Sequence, residues 1–153
     1  ACGAAQFTLR EAPMFVHCCH CSWCQRETGS AFAINALIES SYLTLVKGSV
    51  EVIAMPSNSG SGQNVTRCNV CKTALWSNYG AAKEAVAFVR VGTLNEPSLC
   101  PPDIHIFTTT KQRWLSLGDT IPVMPEYYQR SKYWPEKSVA RYKRALSEIK
   151  TDH

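Results

Sequence analysis

Four of the eight cysteines in this chain of 153 residues fall within seven positions, in the run His17-Cys18-Cys19-His20-Cys21-Ser22-Trp23-Cys24. A second pair follows in Cys68-Asn69-Val70-Cys71, and Cys2-Gly3 stands at the start. Thiolates packed that densely repel one another unless a cation holds them, and zinc is the usual cation. Cys19 and Cys21 are two apart, so on an extended segment their side chains share a face. A helical turn through Ser22–Thr28 would aim Cys24 back at both. The triplet thus supplies three converging sulfurs and no obvious fourth. Three protein ligands with one position open make a reactive zinc, whereas structural zinc closes its shell with four. The alternative is a structural zinc completed by His17, His20 or Cys18. Of these, Cys18 and His20 should point to the opposite strand face, which weakens both as ligands.

Zinc held by three thiolates carries net negative charge, which makes it a weak Lewis acid toward water. Taking a further thiol and holding it as thiolate is the easier task, since coordination deprotonates a sulfur outright. The pattern favours chemistry on a thiol over hydrolysis. Cys68 and Cys71 form a knuckle-type turn that needs partners, and Cys2 is the other cysteine with a comparable turn context. Sulfurs drawn from both ends of a domain would staple it. Cys100, beside Pro101-Pro102, reads as a plain half-buried thiol.

The chain suits one domain with a genuine core, being 45% hydrophobic. No run approaches the length of a membrane helix, and the first residues show no basic segment leading an apolar one. With no export signal in this stretch, eight cysteines argue for metal in a reducing, cytoplasmic compartment and against a disulfide framework. The net charge of +4 is uneven, because residues 126–153 hold seven Lys/Arg against four Asp/Glu. The nearly neutral body lacks the basic stripe of a nucleic-acid protein. Neither a membrane nor nucleic acid is an expected partner.

Short apolar or alternating segments predict strands at Ala5–Leu9, Met14–Cys18, Ala31–Ile38, Tyr42–Val46, Val50–Met55, Val65–Cys68, Ala74–Asn78, Val86–Val91 and Ile104–Thr108. Lys47-Gly48 reads as a hairpin turn, and Pro56–Gly62 as a flexible loop too poor in apolar residues to pack. Near the end, Pro135 followed by Val139, Tyr142, Leu146 and Ile149 predicts an amphipathic helix. Lys137, Arg141, Lys143, Arg144 and Lys150 would form its solvated basic side.

Cys19-His20-Cys21-Ser22-Trp23-Cys24-Gln25-Arg26-Glu27-Thr28-Gly29-Ser30 resembles the C-H-C-S-x-C-R-R-x-x-G-S motif of the glutathione-dependent formaldehyde-activating (GFA) family. Ala1-Cys2-Gly3 is similar to the family's opening C-x-C-G, and Cys68-Asn69-Val70-Cys71-Lys72-Thr73 to its C-x-x-C-G-T. Val89–Pro97, His105-Ile106-Phe107 and Trp114-Leu115 resemble its later segments. The likeness covers residues 1–125 and is silent on 126–153. It implies a mainly β, Mss4-like fold, the β-tent, with antiparallel sheets stapled by zinc and here a C-terminal amphipathic helix. The implied organisation is a zinc-binding catalytic domain over 1–125, with 126–153 a helical extension packed on it. Two zinc ions are implied: a catalytic one on Cys19, Cys21 and Cys24, and a structural one with Cys2, Cys68 and Cys71 among its ligands. The first cysteine of the opening C-x-C would stand just before Ala1, and a start inside the motif is the expectation. Lys72 replaces a glycine where left-handed backbone is commonly wanted.

The implied reaction is that of a carbon–sulfur lyase or synthase, forming or cleaving S-(hydroxymethyl)glutathione-like adducts from glutathione or another small thiol and an aldehyde such as formaldehyde. A non-catalytic, chaperone-like zinc module, a thiol carrier, and a thiol–disulfide or sulfoxide reductase using Cys18 or Cys100 are the other readings. The open trio speaks against the module, and the lack of a solitary electropositive cysteine against the reductase. Glutathione carries two carboxylates, so Arg26, Asn35, Lys111 and Arg113 are candidate groove residues, each more often a surface residue. His105 reads as a hydrogen-bonded core histidine, and Trp76, Trp114 and Phe107 as core. Assembly is left open, a homodimer being one option.

Overall fold

The computed structural model describes residues 1–80 and 82–151. Residues 152–153 of the expected tail and the Lys150 side chain lie outside the described residues. All nine expected strands form: β1 (Gln6–Leu9), β2 (Phe15–Cys19), β3 (Ala33–Glu39), β4 (Leu43–Lys47), β5 (Val50–Met55), β6 (Gln63–Cys68), β7 (Ala74–Tyr79), β8 (Val86–Arg90) and β9 (Ile104–Ile106). Seven make one sheet in the order β5-β6-β7-β8-β3-β2-β9, and β1 pairs with β4 as a separate ribbon. The fold is mainly β, as expected. Pairing is antiparallel except between β2 and β9, which run parallel, a geometry that needs the long connection separating them.

Lys47-Gly48 does not turn a hairpin. β4 belongs with β1 and β5 with β6, so the chain changes sheets there. Gly48 has a φ of 78°, and a Cβ at this position would fall 2.0 Å from the Ala4 carbonyl oxygen. The glycine permits two backbones to cross in contact.

The large sheet is covered on both faces, which is why β2 is buried at every position. On one face Phe15, Leu37, Val86, Ile104 and Ile106 pack against the last helix. On the other, Val16, Ala36, Ile38, Ala87 and Val89 pack under Phe7, Leu9 and Leu43 of the ribbon. Successive residues of β2 and β3 therefore serve opposite layers.

Among the described residues three α-helices complete the fold: α1 (Ser22–Thr28), α2 (Arg130–Tyr133) and α3 (Glu136–Thr151). α3 buries Tyr142 and Ala145 and packs Val139, Leu146 and Ile149 on the first core layer, as its periodicity predicts. Arg141 departs from the expected solvated side. Its Nε and Nη2 donate to the two Glu39 carboxylate oxygens at 2.8 and 2.6 Å, and Nη1 donates to the Ala12 carbonyl at 3.0 Å. Trp114 also departs from expectation, being 74% exposed, whereas Trp76 and Phe107 pack against the core. No described helix is long and apolar enough to cross a membrane.

Candidate metal centre and active site

α1 starts where β2 ends, with Cys21 as its N-cap. The Cys21 sulfur accepts the Cys24 backbone N–H at 3.3 Å, and Gly29 closes the helix in left-handed conformation. This single turn carries Cys24 back over the end of β2. The sulfurs of Cys19, Cys21 and Cys24 all lie within 4.8 Å of one another, and all three residues are buried.

The trio shares its protons unevenly. Hydrogen bonds from the Cys19 and Cys24 thiols, with backbone N–H groups adding to them, pull the Cys21 thiol down to about 3. Cys19, held as donor to Cys21 and Cys24, is pushed far up. Cys24 is favoured by Cys19, but the Cys21 thiolate and burial outweigh that and raise it to about 12. Packed this closely, the three sulfurs oppose one another's ionisation. A divalent cation is what would let all three ionise, so the donor set fits zinc. A fixed positive charge is close at hand. Arg90 at the end of β8 is buried, donates to Asn35 Oδ1 and to Ser77 Oγ at 3.1 Å, and its charge is felt at Cys24.

The trio opens on a cavity of about 330 Å³. Its walls come from across the fold: Trp23 of α1, Asn35 of β3, Tyr79, Phe88, Ile106 and Phe107 from the sheet and its edge, and Tyr127, Arg130 and Tyr142 from the tail. The 56–62 loop, expected to be unpacked, is a wall as well. Ser57 is buried, and the Ser57, Ser59 and Ser61 hydroxyls are linked in a chain at 2.9 and 2.8 Å. Their mutual hydrogen bonds replace the apolar contacts that the sequence lacks there.

His17 shares the strand face of Cys19 and lines the same cavity. Its Nε2 lies 2.6 Å from the Tyr128 hydroxyl, which also receives the Trp134 indole N–H at 2.6 Å. The phenol oxygen accepts from Trp134 and so bridges the indole to His17 Nε2, which leaves Nδ1 as the ring nitrogen outside this pair. Burial, aided by the Arg130 charge, pushes His17 down to about 3, so the ring is neutral.

Cys2, Cys68 and Cys71 form a second group within the same ligand-atom spacing, with Cys2 and Cys68 sulfurs 3.8 Å apart. Lys72 occupies the left-handed region at φ 61°, where the glycine was expected. Cys18, His20 and His105 form a third group. His20 Nε2 lies 3.5 Å from the Cys18 sulfur and 2.9 Å from His105 Nδ1. Strand alternation puts Cys18 on the layer opposite the trio, as expected. His105 is hydrogen-bonded, and Cys100 is half-buried against the second core layer.

Of the four groove candidates, Asn35 lines the cavity of the trio. Arg26 is exposed, and Lys111 and Arg113 line a separate groove beside Trp114. The residues that the sequence reading did not single out are Tyr79, Phe88, Tyr127 and Arg130. The aromatic density of Tyr127, Tyr128, Tyr133 and Trp134 was the available signal for the tail's part in the wall.

Three comparisons bear on the chain. No curated protein matches it. A crystal structure of a Rhodobacter sphaeroides protein is similar at a TM-score of 0.47 and 19% identity, over 80% of this chain and 94% of that one. The model of the glutathione-dependent formaldehyde-activating enzyme family matches residues 1–110, across the trio, the Cys68/Cys71 pair and His105. The chain belongs to that family.

Proposed function

We propose that the protein forms and cleaves the carbon–sulfur bond between a small thiol, glutathione or another, and an aldehyde such as formaldehyde. In this reading Cys19, Cys21 and Cys24 hold a catalytic zinc, and Cys2, Cys68 and Cys71 belong to a structural zinc. Residues 1–125 are the catalytic unit, and 126–153 are an extension that contributes to its cavity. The observation that carries the reading is the contrast between the groups. The trio is buried and opens on a cavity, while Cys2 is exposed and none of Cys2, Cys68 and Cys71 lines that cavity.

Zinc on three thiolates supplies an acid that holds an incoming thiol as its thiolate. The protein does the rest. The walls exclude water and hold the sulfur beside the carbonyl carbon, and proximity supplies most of the acceleration. As the C–S bond forms, the C=O π pair moves to oxygen. The resulting alkoxide takes one proton, so thiol plus aldehyde balances to the hydroxymethyl thioether. The proton is the one the thiol gave up on binding, returned through solvent, and neutral His17, which lines the cavity, is assigned in this reading to stabilise that oxygen by a hydrogen bond from Nδ1–H. Exchange spectroscopy on formaldehyde and glutathione tests the reading. Zinc-loaded protein should raise the exchange rate in proportion to its concentration, and Cys21→Ser should not. A protein that binds the thiol and leaves the rate unchanged is a carrier.

A further inference from the structure

The cavity has a composition that selects among thiols. Six aromatic side chains, Trp23, Tyr79, Phe88, Phe107, Tyr127 and Tyr142, line it beside the sulfurs, and its uncharged polar groups are His17, the serine loop and the amides Asn35, Asn58 and Gln63. Among the described residues that line it, Arg130 is the sole Lys or Arg, and there is no Asp or Glu.

Arg130 is fixed in place. Its guanidinium lies 3.9 Å from the centroid of the Tyr142 ring and 5.0 Å from that of Trp134. Among the described residues no carboxylate forms an ion pair with it, whereas Arg67, Lys72 and Arg141 each have one. Its Nε is buried and has no acceptor. A half-buried cation without a counter-ion is costly, and ring faces offset only part of that cost. The missing partner is an anion, and the planar fork of a guanidinium suits a carboxylate.

Glutathione matches these walls poorly. It brings two carboxylates and an ammonium, whereas the cavity offers one cation and no acid. We infer that the preferred thiol has an aryl or similarly apolar body and a single carboxylate, which Arg130 clamps while the sulfur reaches Cys19, Cys21 and Cys24. This inference rests on the proposed thiol-binding role of the trio. Arg130, Tyr127 and Tyr142 all lie beyond the residues 1–110 that the family model matches, so the selecting groups come from the tail.

Calorimetric titration of the zinc-loaded full chain tests this with four probes: 4-mercaptophenylacetate, 4-methylbenzenethiol, glutathione and sulfur-free phenylacetate. The expected order puts 4-mercaptophenylacetate tightest, about tenfold or more ahead of both 4-methylbenzenethiol and glutathione, as one charge-assisted pair allows. Arg130→Gln should erase the preference for 4-mercaptophenylacetate over 4-methylbenzenethiol, with circular dichroism checking that the variant is folded. Arg130→Lys, keeping charge without the fork, should restore part of that preference. Glutathione binding as tightly as 4-mercaptophenylacetate, or a preference that survives Arg130→Gln, overturns the clamp. Phenylacetate separates the two layers of the argument. If it binds in an Arg130-dependent way while the added sulfur contributes nothing and Cys21→Ser changes nothing, the clamp is supported and the role of the trio fails. If all thiols bind alike and Cys21→Ser abolishes binding, the trio stands and the clamp falls.

Discussion

Arg141→Ala should detach the tail helix from the sheet, and the structure sets the size of the effect. Arg141 makes two charge-assisted hydrogen bonds to Glu39 and one to the Ala12 carbonyl, with 13% and 6% of the two side chains exposed. Truncating one partner of a pair so little exposed strands the other, at a cost of about 3–5 kcal/mol when burial is complete. Solvent reaches the guanidinium, so about 3 kcal/mol is the expectation, or about 6–12 °C in Tm for a chain of this size. The sign of the pH dependence is a sharper test. Burial alone would raise the Glu39 pKa, but Arg141 outweighs it and holds the carboxyl below its ordinary value. The pair therefore stabilises the fold fully above the unfolded carboxyl's pKa, near 4.3. Its contribution is lost as pH falls through the depressed folded value. In Arg141→Ala burial acts unopposed, so the variant's deficit should shrink from pH 7 to pH 4. Urea unfolding of both proteins across that range measures the difference, and metal loss in acid affects both alike. A deficit under 1 kcal/mol at pH 7, or one equal at both ends, would refute the buried-clamp reasoning.

Three further outcomes follow from the same structure. Cys68→Ser or Cys71→Ser removes a staple between distant segments and should lower the melting temperature steeply, whereas Cys21→Ser should keep most of the fold and lose thiol binding; equal melting losses would make the trio structural. Gly48→Ala forces a Cβ into the Ala4 carbonyl at positive φ, so chemical unfolding should show a loss of about 3 kcal/mol or no folded protein; a neutral change would mean that the ribbon does not cross there. Trp134→Ala removes a buried ring that stacks on Phe15 at 5.2 Å and donates to Tyr128, costing about 3–5 kcal/mol in unfolding assays; thiol affinity should fall too, because the Tyr128–His17 bond loses its anchor, and a stable variant with unchanged affinity would contradict the tail's part in the site.

Local periodicity made the strands and the last helix legible, because both faces of the sheet and one side of α3 are buried and each leaves its own repeat in the chain. The grouping of Cys19 with Cys21 followed from strand alternation, and Cys24 from one helical turn. What stayed hidden depends on chain path. At Lys47-Gly48 the residues suit a turn, and only the pairing of β4 with β1 shows that the glycine serves a backbone crossing. Arg141 sits on the polar side of a helical wheel, yet Glu39 lies 102 positions earlier and nothing local joins them. Arg130 and Tyr127 are beyond every cysteine motif, and their place on the cavity wall arises from the docking of α3. The serine loop looked too polar to pack because its partners are its own hydroxyls.

The central claim is that the Cys19/Cys21/Cys24 metal recognises sulfur. Cobalt in place of zinc gives sulfur-to-metal charge-transfer bands, which report directly on ligand thiolates. Adding a small thiol should shift and strengthen those bands, more so as pH nears the thiol's own pKa, and its S-methyl thioether should leave them unchanged. The band change should vanish in Cys21→Ser and persist in Cys71→Ser protein that stays folded. Equal responses to thiol and thioether would contradict the claim and make the trio a structural knot.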